Sequence, residues 1–217
     1  MTAQIGRISG KIVAITGAGI SVASGLPTIR KSYCGVALRD MFTIELYRDT
    51  PDDFFTCYKE VLKQWSDASP SQAHFALAVY NIPIITQNVD GLHQKAGSRK
   101  VIELHGNIRE MICTGCGSLF HADQASVGQG VPRCPACGKS LRPNMVLVGE
   151  EVHHYAAAVD VVAASDVLIV IGTRLGMSPV KELPTVAVRN GGRVITINED
   201  AETEVRLLLE KLKTPLA

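Results

Sequence analysis

Four cysteines set the first constraint on what this chain can do. Cys113, Cys116, Cys134 and Cys137 read C-x2-C-x17-C-x2-C, and each pair sits in a glycine-containing knuckle, Cys-Thr-Gly-Cys-Gly and Cys-Pro-Ala-Cys-Gly. Two residues between thiolates let one tight turn aim both sulfurs at one ion, the pattern of a closed, tetrahedral structural zinc site. Such a site contributes on the order of 10–16 kcal/mol to local order, enough to shape a loop-rich segment that has no core of its own. A redox-active cysteine pair and a catalytic zinc with an open fourth position are the alternatives. Cys34 and Cys57 have no partner at metal spacing and read as plain thiols.

Three further clusters carry groups able to bind or catalyse. Gly17, Ala18, Gly19, Ile20 and Ser21, with Ser24 and Gly25 behind them, are small enough to let backbone N–H groups approach a phosphate at a helix start. The pattern is not G-x-G-x-x-G, and no acidic residue stands about twenty residues on to bind a ribose, which argues against an ordinary dehydrogenase. A tight strand-to-helix turn is the plainer explanation. The run Thr86 to His93, TQNVDGLH, brings together Gln87, Asn88, Asp90 and His93, an amide and carboxylate set suited to a ribose or a carboxamide; an Asx-turn is the competing reading. The third cluster is Glu103, Leu104, His105, Gly106 and Asn107, where His105, with an ordinary pKa of ~6.5, could take a proton near neutral pH.

These clusters need a scaffold that brings them to one place. Gly10 to Ile15 is an apolar run ending at the glycine loop, and Ile82 to Thr86, Val167 to Gly172 and Arg193 to Asn198 are built alike, each ending in a small or polar residue. They read as parallel strands ending at a common site. Helical patterns lie between them at Ala156 to Ala164 and Glu202 to Lys213, where Val205, Leu208, Leu209 and Leu212 recur at i, i+3, i+4, i+7. Ser178 and Pro179 could open a helix, but Pro184 predicts that the main one runs from there to Gly191. Alternating strands and helices predict a doubly wound α/β, Rossmann-like sheet. Asp52 to Trp65 and Gln72 to Tyr80 read as helices outside that alternation, and Ile108 to Arg142 is rich in Cys, Gly and Pro. The expected division is a Rossmann-like domain over 1–30, 81–107 and 143–217, with a smaller module of a helical part, 31–80, and a zinc-ribbon part, 108–142.

Composition narrows the classes. With 22 Lys and Arg against 21 Asp and Glu in 217 residues, the net charge of +1 offers no general attraction for nucleic acid. At 46% hydrophobic and 20% charged the chain is that of a folded globular protein. The richest apolar run, Val167 to Gly172, falls far short of the ~20 residues of a membrane helix. No export signal is evident, and paired C-x-x-C motifs favour metal over disulfides, so a reducing cytoplasm is expected.

Together, GAGIS, SGLP, TQNVDGLH, ELHGN, the cysteine quartet, RPNMVLVGE, IGT and ITINE follow the order and approximate spacing of the sirtuins, and the chain resembles that family from about residue 10 to 200. The resemblance implies NAD-dependent protein lysine deacylation. It further implies that Gly17, Ala18, Gly19, Ile20 and Ser21 cradle the NAD phosphates, with Pro27, Ile29 and Arg30 on a loop covering the cofactor. Gly172, Thr173 and Arg174 would approach the phosphate and ribose, and Asn198 and Glu199 the adenosine ribose. Gln87, Asn88 and Asp90 would form the nicotinamide-ribose pocket, with Asn88 also acting in catalysis and His105 as general base. An acyl-lysine peptide would add as a strand against Val146, Val148, Gly149 and Glu150 on one side and the Gly176 to Pro179 segment on the other.

Four departures from the family pattern bear on activity. Ile29 stands where the family usually has phenylalanine, which makes NAD hydrolysis without acyl transfer a competing activity; Val148 likewise replaces a phenylalanine and implies a wider acyl pocket. Arg174 replaces a serine, and the adenine loop after Asn198 is shortened. Desuccinylating relatives carry a tyrosine and an arginine three residues apart on the helix facing the acyl tunnel, and the matching positions are Phe55 and Tyr58. The absence of a cation there predicts neutral acyl groups, acetyl or longer aliphatic; the alternative is that both are helix-core residues. The rival functions are an NAD glycohydrolase or mono-ADP-ribosyltransferase, and a non-catalytic NAD or ADP-ribose sensor.

Overall fold

The structure is a computed structural model that describes residues 10–28, 32–33, 35–123 and 130–213. In chain order the strands are β1 Ile12–Thr16, β2 Ser32–Tyr33, β3 Val36–Ala37, β4 Ile84–Thr86, β5 Val101–Glu103, β6 Gly106–Cys113, β7 Leu119–His121, β8 Leu141–Met145, β9 Val167–Ile171 and β10 Arg193–Ile197. The helices are α1 Leu38–Met41, α2 Ile44–Asp49, α3 Pro51–Ser66, α4 Gln72–Val79, α5 Leu92–Lys95, α6 Tyr155–Ala163, α7 Leu183–Arg189 and α8 Ala201–Lys213.

Five strands form a parallel sheet in the order β10-β9-β1-β4-β5. Its Val- and Ile-rich strands are the mark of a sheet covered on both faces. Ile12, Ala14, Ile84 and Ile169 face one layer with α4 and α8, while Val13, Ile15, Ile85 and Leu168 face the other with α6 and α7. Chain order runs outward from β1 to β5 on one side, then returns to β9 and β10 on the other. The reversal falls beside β1, where open α/β sheets bind their ligands.

A second core joins α1, α3 and the three-stranded antiparallel sheet β7-β6-β8 around Phe54, Phe55, Tyr58, Met111 and Leu141. Pro51 at the first position of α3 and Asp52 and Asp53 in its first turn suit a helix start, where the missing N–H costs nothing and negative charge meets the positive end of the dipole.

The expected strands and helices are present with ends moved by a residue or two. One helix sits elsewhere: α4, read as part of the smaller module, packs Ala73, Ala76 and Leu77 into the sheet's own core beside Leu208 and Leu209 of α8. Its apolar face matches the sheet, and sequence distance from the next strand says nothing about that. Pro179 does not open the long helix: a 3₁₀ turn spans Val180–Glu182, and α7 begins at Leu183 with Pro184 in its first turn.

Candidate active site

All five parallel strands end at one edge of the sheet. β1 runs into Gly17–Gly19, β4 into Gln87–Asp90, β5 into His105, β9 into Gly172–Thr173 and β10 into Asn198. The glycine loop lies directly on the loop after β9: the Gly17 N–H donates to Ile171 O at 3.0 Å and the Gly19 N–H to Gly172 O at 2.9 Å. A Cβ on Gly19 would stand 2.5 Å from Gly172 Cα, and one on Gly172, whose φ is +62°, would stand 2.4 Å from the Ile20 nitrogen. Glycine is required at both positions because main chain meets main chain. The result is close main-chain contact between the two loops at the strand ends, an edge of small residues of the kind that suits a diphosphate.

The second loop closes the side of this edge. The Gln87 N–H donates to Thr16 O at 2.9 Å, and its Oε1 accepts from Thr173 Oγ1 at 2.7 Å. Asn88 donates through Nδ2 to Gly17 O and Ser21 Oγ, both at 3.2 Å. Asp90 accepts from Ser21 Oγ at 2.8 Å and from the Leu92 N–H at 2.9 Å. Burial pushes its carboxyl pKa up, and these two bonds and the charge of Arg109 pull it back. Asn88, Asp90 and Ser21 therefore form one hydrogen-bonded group, and Gln87 and Thr173 a second beside it.

His105 stands at the same edge. Its Nδ1 lies 2.8 Å from Gln87 O; a carbonyl only accepts, so Nδ1 carries the hydrogen and Nε2 of the neutral ring is left as a base. Burial holds its pKa below 6.5, partly offset by the Gln87 bond, with nearby His153 lowering it further. The ring is thus neutral at neutral pH. The carbonyl of His105 accepts the Val146 N–H at 2.9 Å and ties the base to the segment after β8.

The predicted peptide-binding segment is already partly engaged. Both oxygens of Glu150 take the Arg142 guanidinium, at 2.6 and 2.7 Å, and one also accepts the Leu147 N–H at 2.8 Å. Arg142 in turn lies over the Tyr47 ring, 5.4 Å from its centroid. The Arg142 bonds hold the Glu150 carboxyl below the ordinary carboxylate range. Glu150 thus clamps its own loop, a role for which the pairing with Arg142 gave no signal in sequence. The N–H and C=O of Val148 are spent on Phe42 and Ile44 at 2.8 and 3.2 Å, while its side chain stays half exposed; Gly149 is exposed at φ +99°.

Phe55 and Tyr58 stand apart from this edge. They are 1% and 0% exposed in an aromatic cluster with Phe54, and Tyr58 Oη donates to Ile108 O at 2.6 Å. Neither has surface free for a substrate, so the helix-core alternative describes them. His93, grouped with the loop in sequence, is also turned inward, 1% exposed and 2.8 Å from Thr16 Oγ1. Arg174, Asn198 and Glu199 are exposed at the rim, and Pro27 is half-buried. Ile29 and Arg30 lie outside the described residues. A cavity of about 750 Å³ opens between α3, α5 and the antiparallel sheet, and among the described residues Asp90 is the one predicted site residue in its lining.

The four cysteines fit the metal their spacing implies. Their sulfurs all lie within 4.8 Å of one another, with Cys113–Cys137 at 3.4 Å and Cys116–Cys134 at 3.7 Å. A tetrahedral zinc with bonds near 2.3 Å needs sulfurs about 3.8 Å apart. The Gly115 and Cys116 N–H groups donate to Cys113 Sγ, as befits a thiolate.

The Sir2 family model matches residues 17–179. The chain belongs to the Sir2 family. This Sir2-family protein is similar to an NAD-dependent protein deacetylase of Sulfolobus acidocaldarius, 41% identical over 201 residues that cover 86% of this chain and 78% of the relative. It is 35% identical over 216 residues to an NAD-dependent protein deacylase of Pyrococcus furiosus, covering 91% and 86%. Among solved structures it is similar to Sir2 with a p53 peptide and NAD+, at a TM-score of 0.81 and 33% identity over 93% of this chain and 92% of that one. A Sir2 homologue in complex with NAD gives 0.84 and 30%, over 94% and 89%. Among the described residues no helix is long and apolar enough to cross a membrane.

Proposed function

We infer that this protein is an NAD-dependent protein lysine deacylase that moves neutral acyl groups, acetyl or longer aliphatic, from lysine to ADP-ribose with release of nicotinamide. The observation that carries the assignment is the convergence of a neutral, tautomer-fixed His105 with Gln87, Asn88 and Asp90 and with the small-residue loops after β1 and β9 at one sheet edge. The similar relatives are named deacetylases and deacylases, and similar Sir2 structures hold acetylated or propionylated peptides.

NAD, when bound, supplies the ribose that accepts the acyl group and nicotinamide as leaving group. Gly17, Ala18, Gly19, Ile20, Ser21, Gly172 and Thr173 hold its diphosphate and adjoining ribose, with Pro27, Ile29 and Arg30 covering it. Arg174, Asn198 and Glu199 serve the adenosine end. Gln87, Asn88 and Asp90 hold the nicotinamide ribose and carboxamide. His105 Nε2 takes a proton from the ribose hydroxyls, help that is typically worth ~10²–10⁴ in rate. The acyl-lysine peptide lies along Val146, Val148 and Gly149, with Glu150 holding that segment from behind. The four cysteines hold a structural zinc. We assign the NAD-binding unit to 1–30, 81–107 and 143–217 together with α4, the remainder forming the smaller module, and the cellular site to the reducing cytoplasm.

The test is mass spectrometry of NAD incubated with the protein and acetyl-, octanoyl- or succinyl-lysine peptides, beside His105→Ala and a control without peptide. Deacylated peptide with matching acyl-ADP-ribose, absent in the variant, is the expected result. Free ADP-ribose formed without peptide would move the assignment to an NAD glycohydrolase, and faster turnover of succinyl-lysine would reverse the acyl preference.

A further inference from the structure

Behind the strand ends runs a chain of buried polar side chains that the proposed chemistry does not touch. The Ser71 N–H donates to His74 Nδ1 at 3.1 Å, and Ser71 Oγ lies 2.8 Å from the same nitrogen and 3.2 Å from the carbonyl of Ile20 in the glycine loop. On the other side, His93 Nε2 lies 2.8 Å from Thr16 Oγ1, which donates to Thr86 Oγ1 at 2.9 Å; Thr86 Oγ1 also accepts the Asn88 N–H at 3.0 Å. His74 and His93 are 0% and 1% exposed, with ring centroids 4.7 Å apart.

The partners dictate where the protons sit. A backbone N–H only donates, so His74 Nδ1 is bare and the neutral ring carries its hydrogen on Nε2. With the Thr16 hydroxyl hydrogen on Thr86, Thr16 accepts from His93 Nε2–H, and His93 Nδ1 is left bare; the tautomer of His93 is part of the proposal and is read by the NMR experiment below. The remainder is one donor, His74 Nε2–H, and one acceptor, His93 Nδ1, on adjacent rings. Both atoms are buried without a partner. Each alone is costly and the two are complementary.

We propose that His74 Nε2–H and His93 Nδ1, which make no direct hydrogen bond, are joined through one bound water, and that this link positions the Asn88 turn against the glycine loop for NAD binding. It completes one path from Ser71, which lies against the Ile20 carbonyl, through His74, His93, Thr16 and Thr86 to the Asn88 N–H. The two histidines are positioning residues. Burial keeps both rings neutral at physiological pH, so the link carries no charge beneath the glycine loop.

This inference rests on the proposed role of Asn88, and the experiment separates the two. In the whole protein, imidazole ¹⁵N NMR is expected to find both rings in the Nε2–H tautomer, with the His74 Nε2 hydrogen slow to exchange. Calorimetric Kd values for NAD and for an acyl-lysine peptide are then measured in His74→Leu, His74→Gln and His74→Asn. Loss of the link is expected to raise Kd for NAD about tenfold in His74→Leu, as for one unpaired buried partner, with peptide Kd changed less than twofold. Gln, whose amide nitrogen reaches the Nε2 position, restores NAD binding to within about threefold. Asn, which keeps only the bond to Ser71, does not. Rescue by Asn and not Gln would make His74 a helix cap alone, and His93 with its hydrogen on Nδ1 would overturn the link even if the variants fail to fold. Wild-type protein that binds NAD but does not deacylate refutes the proposed function and leaves the link standing; protein that does not bind NAD refutes both.

Discussion

The buried histidine pair makes the stability of this protein steeply dependent on acid. His74 is pushed down to about 4 and His93 to about 3, both chiefly by burial, from 6.5 in the unfolded chain. Below pH 6.5 the unfolded chain therefore takes up protons that the fold refuses. Stability is full above that pH and falls with a slope of ~1.4 kcal/mol per pH unit for each ring, until the folded rings protonate near 4 and 3. At pH 5 each has cost about 2 kcal/mol and the pair about 4 kcal/mol relative to pH 7.5. For a chain of this length that lowers the melting temperature by roughly 8–16 °C. Urea unfolding at pH 7.5 and pH 5 should show the wild type losing about 4 kcal/mol more than a His74→Phe/His93→Phe variant, since the other titrating groups act in both proteins. An equal loss in the two proteins, or an NMR titration of either ring with a midpoint near 6.5, would refute the reasoning.

Other consequences follow from the same edge of the sheet. His105→Ala should lower deacylation ~10²–10⁴-fold; in the wild type, kcat/KM should fall with acid only below pH 6.5, because burial lowers the pKa of the base, and a pH profile reads this directly. Gly19→Ala pushes a methyl against Gly172 Cα, an overpacking that costs ~1–3 kcal/mol; calorimetry should show weakened NAD binding with the fold retained by circular dichroism. Arg142→Ala strands the half-buried Glu150 carboxylate, so the KM for acyl peptide should rise severalfold while the Kd for NAD stays unchanged. Elemental analysis should find one zinc per chain, and chelation or Cys134→Ser should disorder the antiparallel sheet, seen as loss of near-ultraviolet dichroism; full activity without metal would contradict a structural role.

Much of this was legible because local chemistry leaves local traces. The strands read as apolar runs since a parallel sheet buries both faces, and each ended in small or polar residues because the chain turns there into the site. The C-x-x-C pairs are legible because both sulfurs of each pair sit in one knuckle. The sequence of α4 shows an apolar face but not which core receives it. Phe55 and Tyr58 share a helix face, and spacing alone cannot tell a tunnel wall from an aromatic core. The motif around Glu150 does not contain its pairing with Arg142, eight residues earlier, which holds both its oxygens.

The sequence by itself determined the fold class, the cysteine pairs that cluster and the residues that end the parallel strands, since each depends on periodicity or on spacing within one turn. Tertiary structure alone decided how those residues are held. The free lone pair of His105 depends on a carbonyl 18 residues away, the close-packed glycines on contact between loops more than 150 residues apart, and the facing nitrogens of His74 and His93 on Ser71, Thr16 and Thr86 from three separate segments. Proton positions, close backbone contact and burial are relations between segments, and a linear pattern does not contain them.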